Sequence, residues 1–291
     1  MKLSLMLNNL HQPYEESLDT VQRLGIPAVH LSADGPWNPA ICDGSARKQL
    51  RASLVERGLA LSAISGCGRA IDLGWPDQTK ENIATAQKAL EMAADLMDTG
   101  GIWQDHVGVL PNRPEGRRWD AFVRCTRDIA RHGEKVGACL AIETGPEPAY
   151  AIENLMRAVG SKALRVNYDP ANLILYPAFF HTDPDLIARF GRPSTPYEKE
   201  SAFREYEPVE GVQRLGPYIV HTHAKDALVD AGVGREVPLG MGWVDWPRYL
   251  RLLKESGYTG YLAIERETGP DPVGDIARAA AFLREQLQSL G

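Results

Sequence analysis

The sequence has few of the features that would point directly to a partner. Four cysteines in 291 residues (Cys42, Cys67, Cys125 and Cys139) stand far apart, with no C-x-x-C pair. That argues against a disulfide framework and a thiolate metal cluster, and points to reduced structural thiols in a cytoplasmic protein. No run of about 18 apolar residues is present, so no membrane association is expected. Thirty-two Lys and Arg stand against 38 Asp and Glu, a net charge of −6 with no basic stripe, so nucleic acid is not an expected partner. The opening "MKLSLMLNNLHQPY" has one Lys, a short part-apolar stretch and no small-residue cleavage site, so no signal peptide is expected. No G-x-G-x-x-G follows the first apolar run, and no Gly-rich run leads into Lys-Ser or Lys-Thr. Both the dinucleotide fingerprint and the phosphate loop are therefore missing.

What is present is a rhythm. Short apolar runs alternate with longer stretches of helical periodicity. The runs are "KLSLML" (2–7), "AVHLSA" (28–33), "LALSAIS" (59–65), "GGIWQDHVGVL" (100–110), "CLAIETG" (139–145), "LRVNYD" (164–169), "YIVHTHAKD" (218–226) and "YLAIERE" (261–267). Each is followed by a helix candidate, and most of those close on Gly, as a left-handed C-cap requires. The later strands are nearly continuous apolar runs, the pattern of strands covered on both faces. Eight such units predict an α/β fold, a single-domain (β/α)8 TIM barrel over 1–291. One segment breaks the rhythm. After the sixth strand, residues 173–208 form a connection far longer than the usual ~2–6 residues. A short helix is predicted at 184–190 and the next clear one at 209–216. Tyr176, Phe179, Phe180, Phe190, Tyr197, Phe203 and Tyr206 make the insertion too aromatic for a solvated excursion. It lies on the C-terminal side of its strand, the catalytic face of a barrel, so a lid or an oligomer-contacting arm is expected. A homo-oligomer is the expected assembly.

Polar groups at the C-terminal ends of barrel strands can meet over the mouth. Four consecutive strands end in candidate ligands: Glu143 in "AIETG", Asp169 in "VNYDPAN", His221 and His223 in "HTHAKD", and Glu265 in "AIERE". Any one of them has an ordinary structural explanation; four on adjacent strands do not. Three carboxylates and an imidazole suit Mn²⁺ first, with Mg²⁺ and Co²⁺ close behind and Zn²⁺ less indicated without Cys.

These residues carry a resemblance. The motifs "LAIETGPEP", "VNYDPANLILY", "GPYIVHTHAKDA", "EVPLGMGWVDW" and "LAIERETGPDPVGDI" resemble the sugar phosphate isomerase/epimerase group of the xylose-isomerase-like TIM barrel superfamily. That superfamily also holds ketose 3-epimerases, hydroxypyruvate isomerase, inosose dehydratase and endonuclease IV-type nucleases. The resemblance implies metal ligands at Glu143, Asp169, His223 and Glu265. It selects His223 because the family pattern is His, two residues, then Asp, which His223 and Asp226 satisfy; His221 then supports it. The implied activity is a divalent-metal-dependent sugar isomerase or epimerase, working through an enediolate with Glu143 and Glu265 as the acid–base pair. A lyase, eliminating water or an aglycone from the same intermediate, is the alternative. The implied substrate is a small-molecule carbohydrate.

Further residues are expected around the substrate: His106 after strand four, Glu147 four beyond Glu143, Asn172 three beyond Asp169, and Lys225 and His221 in "HTHAKD". Asn8, Asn9 and His11 are weaker candidates, and Trp37, Trp75 and Trp103 are read as packing. The chain departs from the ketose 3-epimerases in two places. They have His where this chain has Asn172, and Arg where it has Val229. Met241 replaces a Glu common in the related "VPLGEG" pattern.

Overall fold

The computed structural model describes residues 1–98, 100–190 and 196–290. Within the expected insertion, residues 191–195 and the side chain of Phe190 lie outside the described residues. Strands and helices alternate as far as β6: β1 Lys2–Met6, α1 Tyr14–Arg23, β2 Ala28–Ser32, α2 Gly44–Glu56, β3 Ala60–Ser65, α3 Thr79–Leu96, β4 Gly101–Asp105, α4 Gly116–Val136, β5 Ala138–Glu143, α5 Ala149–Val159 and β6 Leu164–Tyr168. The chain continues through α6 Asn172–Thr182, α7 Pro184–Phe190, α8 Lys199–Tyr206, α9 Val212–Leu215, β7 Ile219–Ala224, β8 Asp226–Asp230, β9 Val233–Val237, α10 Trp246–Glu255, β10 Tyr261–Ile264 and α11 Pro272–Ser289.

Eight of the strands close a barrel in the order β1-β10-β7-β6-β5-β4-β3-β2. The chain is a single TIM-barrel domain, and every neighbouring pair in the barrel is parallel. Strands such as β5 (ACLAIE) are buried along nearly their whole length, because helices cover one side and the barrel interior fills the other. The register shifts at Val29/His30 and at Val166/Asn167, at the two strand positions that carry His30 and Asn167. No described helix is long and apolar enough to cross a membrane.

Two features depart from the expected layout. The connection after β6 holds α6, α7, α8 and α9 rather than one short helix, and the helix expected at 209–216 is the four-residue α9. α6 (NLILYPAFFHT) is apolar on nearly all faces and carries Pro177 internally, so it shows neither helical periodicity nor an uninterrupted run. The second feature is the antiparallel hairpin β8–β9 inserted between β7 and α10. Its two-residue turn, Ala231-Gly232, has φ of 49° and 83°, the mirror-image geometry that suits hairpin twist.

The hairpin and the loop after it are fastened by Asp226. Its buried carboxylate accepts from the amides of Ala227 (2.9 Å), Gly240 (2.9 Å), Gly242 (3.1 Å) and Val244 (3.2 Å), and from Trp246 Nε1 (3.1 Å). Gly242 is required by this approach, since a Cβ there would meet Asp226 Oδ1 at 2.0 Å. Asp226→Ala strands five donors, so we expect a loss of about 3 kcal/mol or more in urea unfolding. A loss below about 1 kcal/mol would show that the loop does not depend on this carboxylate.

Candidate metal centre

The ends of β5, β6, β7 and β10 converge at the C-terminal mouth. Ligand atoms of Glu143, Asp169, His223 and Glu265 all lie within 4.8 Å of one another, and all four residues are buried. His223 Nδ1 is 2.9 Å from Glu143 Oε1, 2.8 Å from Glu265 Oε2 and 3.8 Å from Asp169 Oδ2. Yet His223 Nδ1, Asp169 Oδ2 and Glu265 Oε2 are buried without a hydrogen-bond partner. They approach one another without hydrogen-bond geometry; they converge on a common point. Adjacent donors of an octahedral ion with ~2.1 Å bonds stand about 3 Å apart, so the spacing fits a divalent cation. One imidazole nitrogen among carboxylate oxygens suits the harder metals of the first row.

The other ligand atoms are fixed from outside the cluster. Asp169 Oδ1 accepts from the amides of Ala171 (2.8 Å) and Asn172 (3.1 Å). Glu143 Oε1 accepts from Asn172 Nδ2 at 3.0 Å, and Glu143 Oε2 accepts from Gln104 Nε2. His106 Nε2 is 3.4 Å from the same Oε2. Lys225 Nζ lies 3.5 Å from Glu265 Oε2 and donates to Glu267. Gly145 (φ 153°) lets α6 come this close, since a Cβ there would sit 2.8 Å from Asn172 Cβ and from the Tyr176 ring.

The charges follow from this packing. Burial alone would lower the pKa of His223, but Glu265 and Glu143 outweigh it and hold the imidazole well above its usual value. Burial raises the Glu143 and Glu265 carboxyls, while His106 and His223 for the first, and His223 and Lys225 for the second, bring both below the usual range. Asp169 is pushed up to about 6, chiefly by burial. The His223 proton is thus the counter-charge for the carboxylates, and a divalent ion on the same donors would displace it.

Behind His223 lies a buried polar chain. His223 Nε2 is 3.3 Å from His30 Nδ1 and 3.3 Å from Asn167 Nδ2, His221 Nδ1 is 2.9 Å from Asn167 Oδ1, and His221 Nε2 is 3.1 Å from Ser62 Oγ. Burial, then neighbouring histidines, hold His30 and His221 well below their usual pKa, so both are neutral. If Nδ1 of His223 carries the metal, Nε2 bears the proton, and His30 Nδ1 is placed to accept it.

The mouth opens into a cavity of about 620 Å³, lined among others by His106, Glu143, Asn172, Tyr176, Lys225 and Glu265. Three of the five residues expected around a substrate, His106, Asn172 and Lys225, therefore face it. The other two do not. His221 is fully buried beneath His223 and bonded to Ser62 and Asn167. Glu147 is 1 % exposed, outside the cavity lining, with the Arg118 guanidinium and Asp72 as its charged neighbours. Asn9 serves the fold, its Oδ1 accepting from the Arg266 amide at 2.9 Å. Trp103 is fully buried and Trp37 packs on Tyr14. Trp75 is 44 % exposed, with Arg118 over its ring. Gln104, Asn167, His30, Glu236 and Glu267 are not singled out by the sequence, and Tyr176 only as one of the insertion's aromatics. Gln104 and Asn167 are polar residues within buried strands, and that mismatch was a signal available in the sequence.

Burial pushes the Glu147 carboxyl up to about 8. A folded pKa above the unfolded ~4.3 means that this group's ionisation opposes folding, so stability falls as pH rises from about 4 to about 8. Glu147→Gln is expected to unfold at higher urea than the wild type at pH 8, with the difference closing by pH 5. An equal gap at both pH values would show that Glu147 does not titrate this way.

A closed parallel barrel with acid, amide and imidazole groups gathered at its C-terminal mouth has the architecture of a TIM-barrel enzyme. The chain belongs to the xylose isomerase-like TIM barrel family, whose model matches residues 18–286. A xylose isomerase domain protein from Planctomyces limnophilus is 25% identical with a TM-score of 0.74, over 94% of this chain and 92% of that one. A xylose isomerase-like TIM barrel protein from Mycobacterium smegmatis, solved in complex with magnesium, is 20% identical with a TM-score of 0.70, over 99% and 97%. In sequence, 76 residues are 38% identical to L-ribulose-5-phosphate 3-epimerase UlaE of Escherichia coli. That match covers 25% of this chain and 26% of the epimerase, about a quarter of the relative's length.

Proposed function

We propose that the chain is a divalent-metal-dependent isomerase or epimerase of a sugar or sugar derivative. Glu143, Asp169, His223 and Glu265 hold the ion, with Mn²⁺ favoured by the donor set and Mg²⁺ next. The similarity to the Escherichia coli epimerase and to the magnesium-bound Mycobacterium smegmatis protein supports this reading. The observation that carries it is the placement of the two glutamates. β5 and β10 flank the β6–β7 pair in the barrel order, so Glu143 and Glu265 reach His223 Nδ1 from opposite sides, at 2.9 and 2.8 Å. Both line the cavity. A substrate carbon resting over β6 and β7 has one carboxylate on each face.

When bound, the ion polarises a carbonyl and acidifies the adjacent C–H. One glutamate removes that proton and leaves an enediolate; the other returns a proton to the opposite face, giving the epimer, or to the neighbouring carbon, giving the isomer. Asn172 and Gln104 hold the Glu143 carboxylate in place from both oxygens. His106, beside Glu143 and open to the cavity, is placed to exchange that proton with solvent. Lys225 lines the cavity beside Glu265, 3.5 Å from its Oε2, where it can meet negative charge that develops on oxygen. The insertion after β6 supplies the cover, with α6 forming one wall of the cavity.

The test is deuterium incorporation from heavy water across ketoses, inososes and 3-oxo-glycosides with Mn²⁺. Exchange at one carbon with inversion or carbonyl migration is expected. Loss of a β-substituent after exchange would identify a lyase instead. No exchange into any of them would overturn the proton-transfer reading.

A further inference from the structure

We infer that the cavity takes a sugar derivative bearing an apolar substituent. The inference rests on reading the site as a sugar site, and it concerns what lies beyond the reacting carbons. The size of the cavity and the chemistry of one of its walls carry it.

The cavity of about 620 Å³ has room for roughly twenty waters at ~30 Å³ each, more than one monosaccharide displaces. It falls within the ~300–1,000 Å³ typical of sites for drug-sized ligands. Leu175, Tyr176 and Phe179 of α6 line one wall, with Gly234 of β9 against them. A Cβ at Gly234 would lie 3.1 Å from both Leu175 Cδ2 and Phe179 Cε1, so the absent side chain brings the hairpin down onto α6. Tyr176 and Phe179 stand edge-to-face at 5.9 Å, leaving ring surface for an aryl or alkyl group. The glutamates sit at the base and the apolar wall stands above them. A sugar ring at the metal centre would point its substituent along α6.

The experiment is calorimetric binding to the full-length Mn²⁺-loaded protein, which needs no turnover. Phenyl β-D-glucopyranoside is compared with methyl β-D-glucopyranoside. The phenyl glycoside is expected to bind at least tenfold tighter than the methyl glycoside. Phe179→Ala is expected to remove most of the phenyl preference while leaving methyl glycoside binding in place, which also shows that the variant is folded. Phe179→Leu should retain most of the preference. Equal binding of the two glycosides or an undiminished preference in Phe179→Ala overturns the inference. If deuterium exchange fails on every substrate while the phenyl preference holds, the isomerase reading falls and this one stands; exchange without the preference has the reverse meaning.

Discussion

Glu265→Gln is expected to slow conversion of substrate to product by about 10²–10⁴-fold, the usual contribution of a positioned acid or base. The amide keeps the shape of the side chain and one oxygen near His223 and Lys225, and the rate is read at saturating Mn²⁺ so that a weaker hold on the ion does not set it. The two-sided arrangement makes a sharper statement than the rate alone. Glu143 at the end of β5 and Glu265 just after β10 approach the same point from opposite flanks. Each should therefore abstract from one epimer only. Glu265→Gln should still exchange solvent deuterium into the epimer that presents its proton to Glu143, and should lose exchange into the other. Glu143→Gln should show the complementary pattern. Mass spectrometry of recovered substrate, starting from each epimer separately, reads both outcomes. Wild-type exchange from both epimers in Glu265→Gln would dispose of the two-glutamate mechanism.

The barrel was legible because its signal is redundant. Eight apolar runs with helical stretches between them specify parallel βα units even where individual boundaries slip, as they do for β4, which ends at Asp105 and not near Leu110. The candidate site was legible for a related reason. Each of Glu143, Asp169, His223 and Glu265 follows an apolar run, and a strand end on a barrel has a known place in space. What distance along the chain concealed was everything that crosses between strands. Nothing local to "GIWQD" says that Gln104 will meet Glu143, and nothing in "AVHLS" says that His30 will stand behind His223. α6 was hidden because a helix buried on nearly all faces has no periodicity to detect. Glu147 and His221 show the opposite error. Proximity in sequence to Glu143 and His223 suggested a place at the cavity, but Glu147 ends beside Arg118 and Asp72, and a period-two strand puts His221 one layer deeper in the barrel.

Adding Mn²⁺ to the metal-free protein is expected to raise its stability by about 4 kcal/mol at a free concentration a thousand times the dissociation constant. For a chain of this size that is a rise of roughly 7 °C in melting temperature. The direction follows from the cluster: three buried carboxylates share His223 and Lys225 as counter-charges, and two of the carboxylate oxygens lack any hydrogen bond. Asp169→Asn separates the two parts of this balance. Its Oδ1 accepts two backbone amides, a role the amide oxygen keeps, while the unpartnered Oδ2 becomes a neutral NH₂. Removing a buried, incompletely paired charge favours the folded state. Without metal the variant should therefore melt above the wild type. With Mn²⁺ it should lose most of the shift, because a ligand oxygen is gone. The order of the two melting temperatures should invert on going from chelator to Mn²⁺, a readout that owes nothing to turnover. If Asp169→Asn retained the full metal shift, the ion would be bound elsewhere, and the convergence of β5, β6, β7 and β10 on one point would need another explanation.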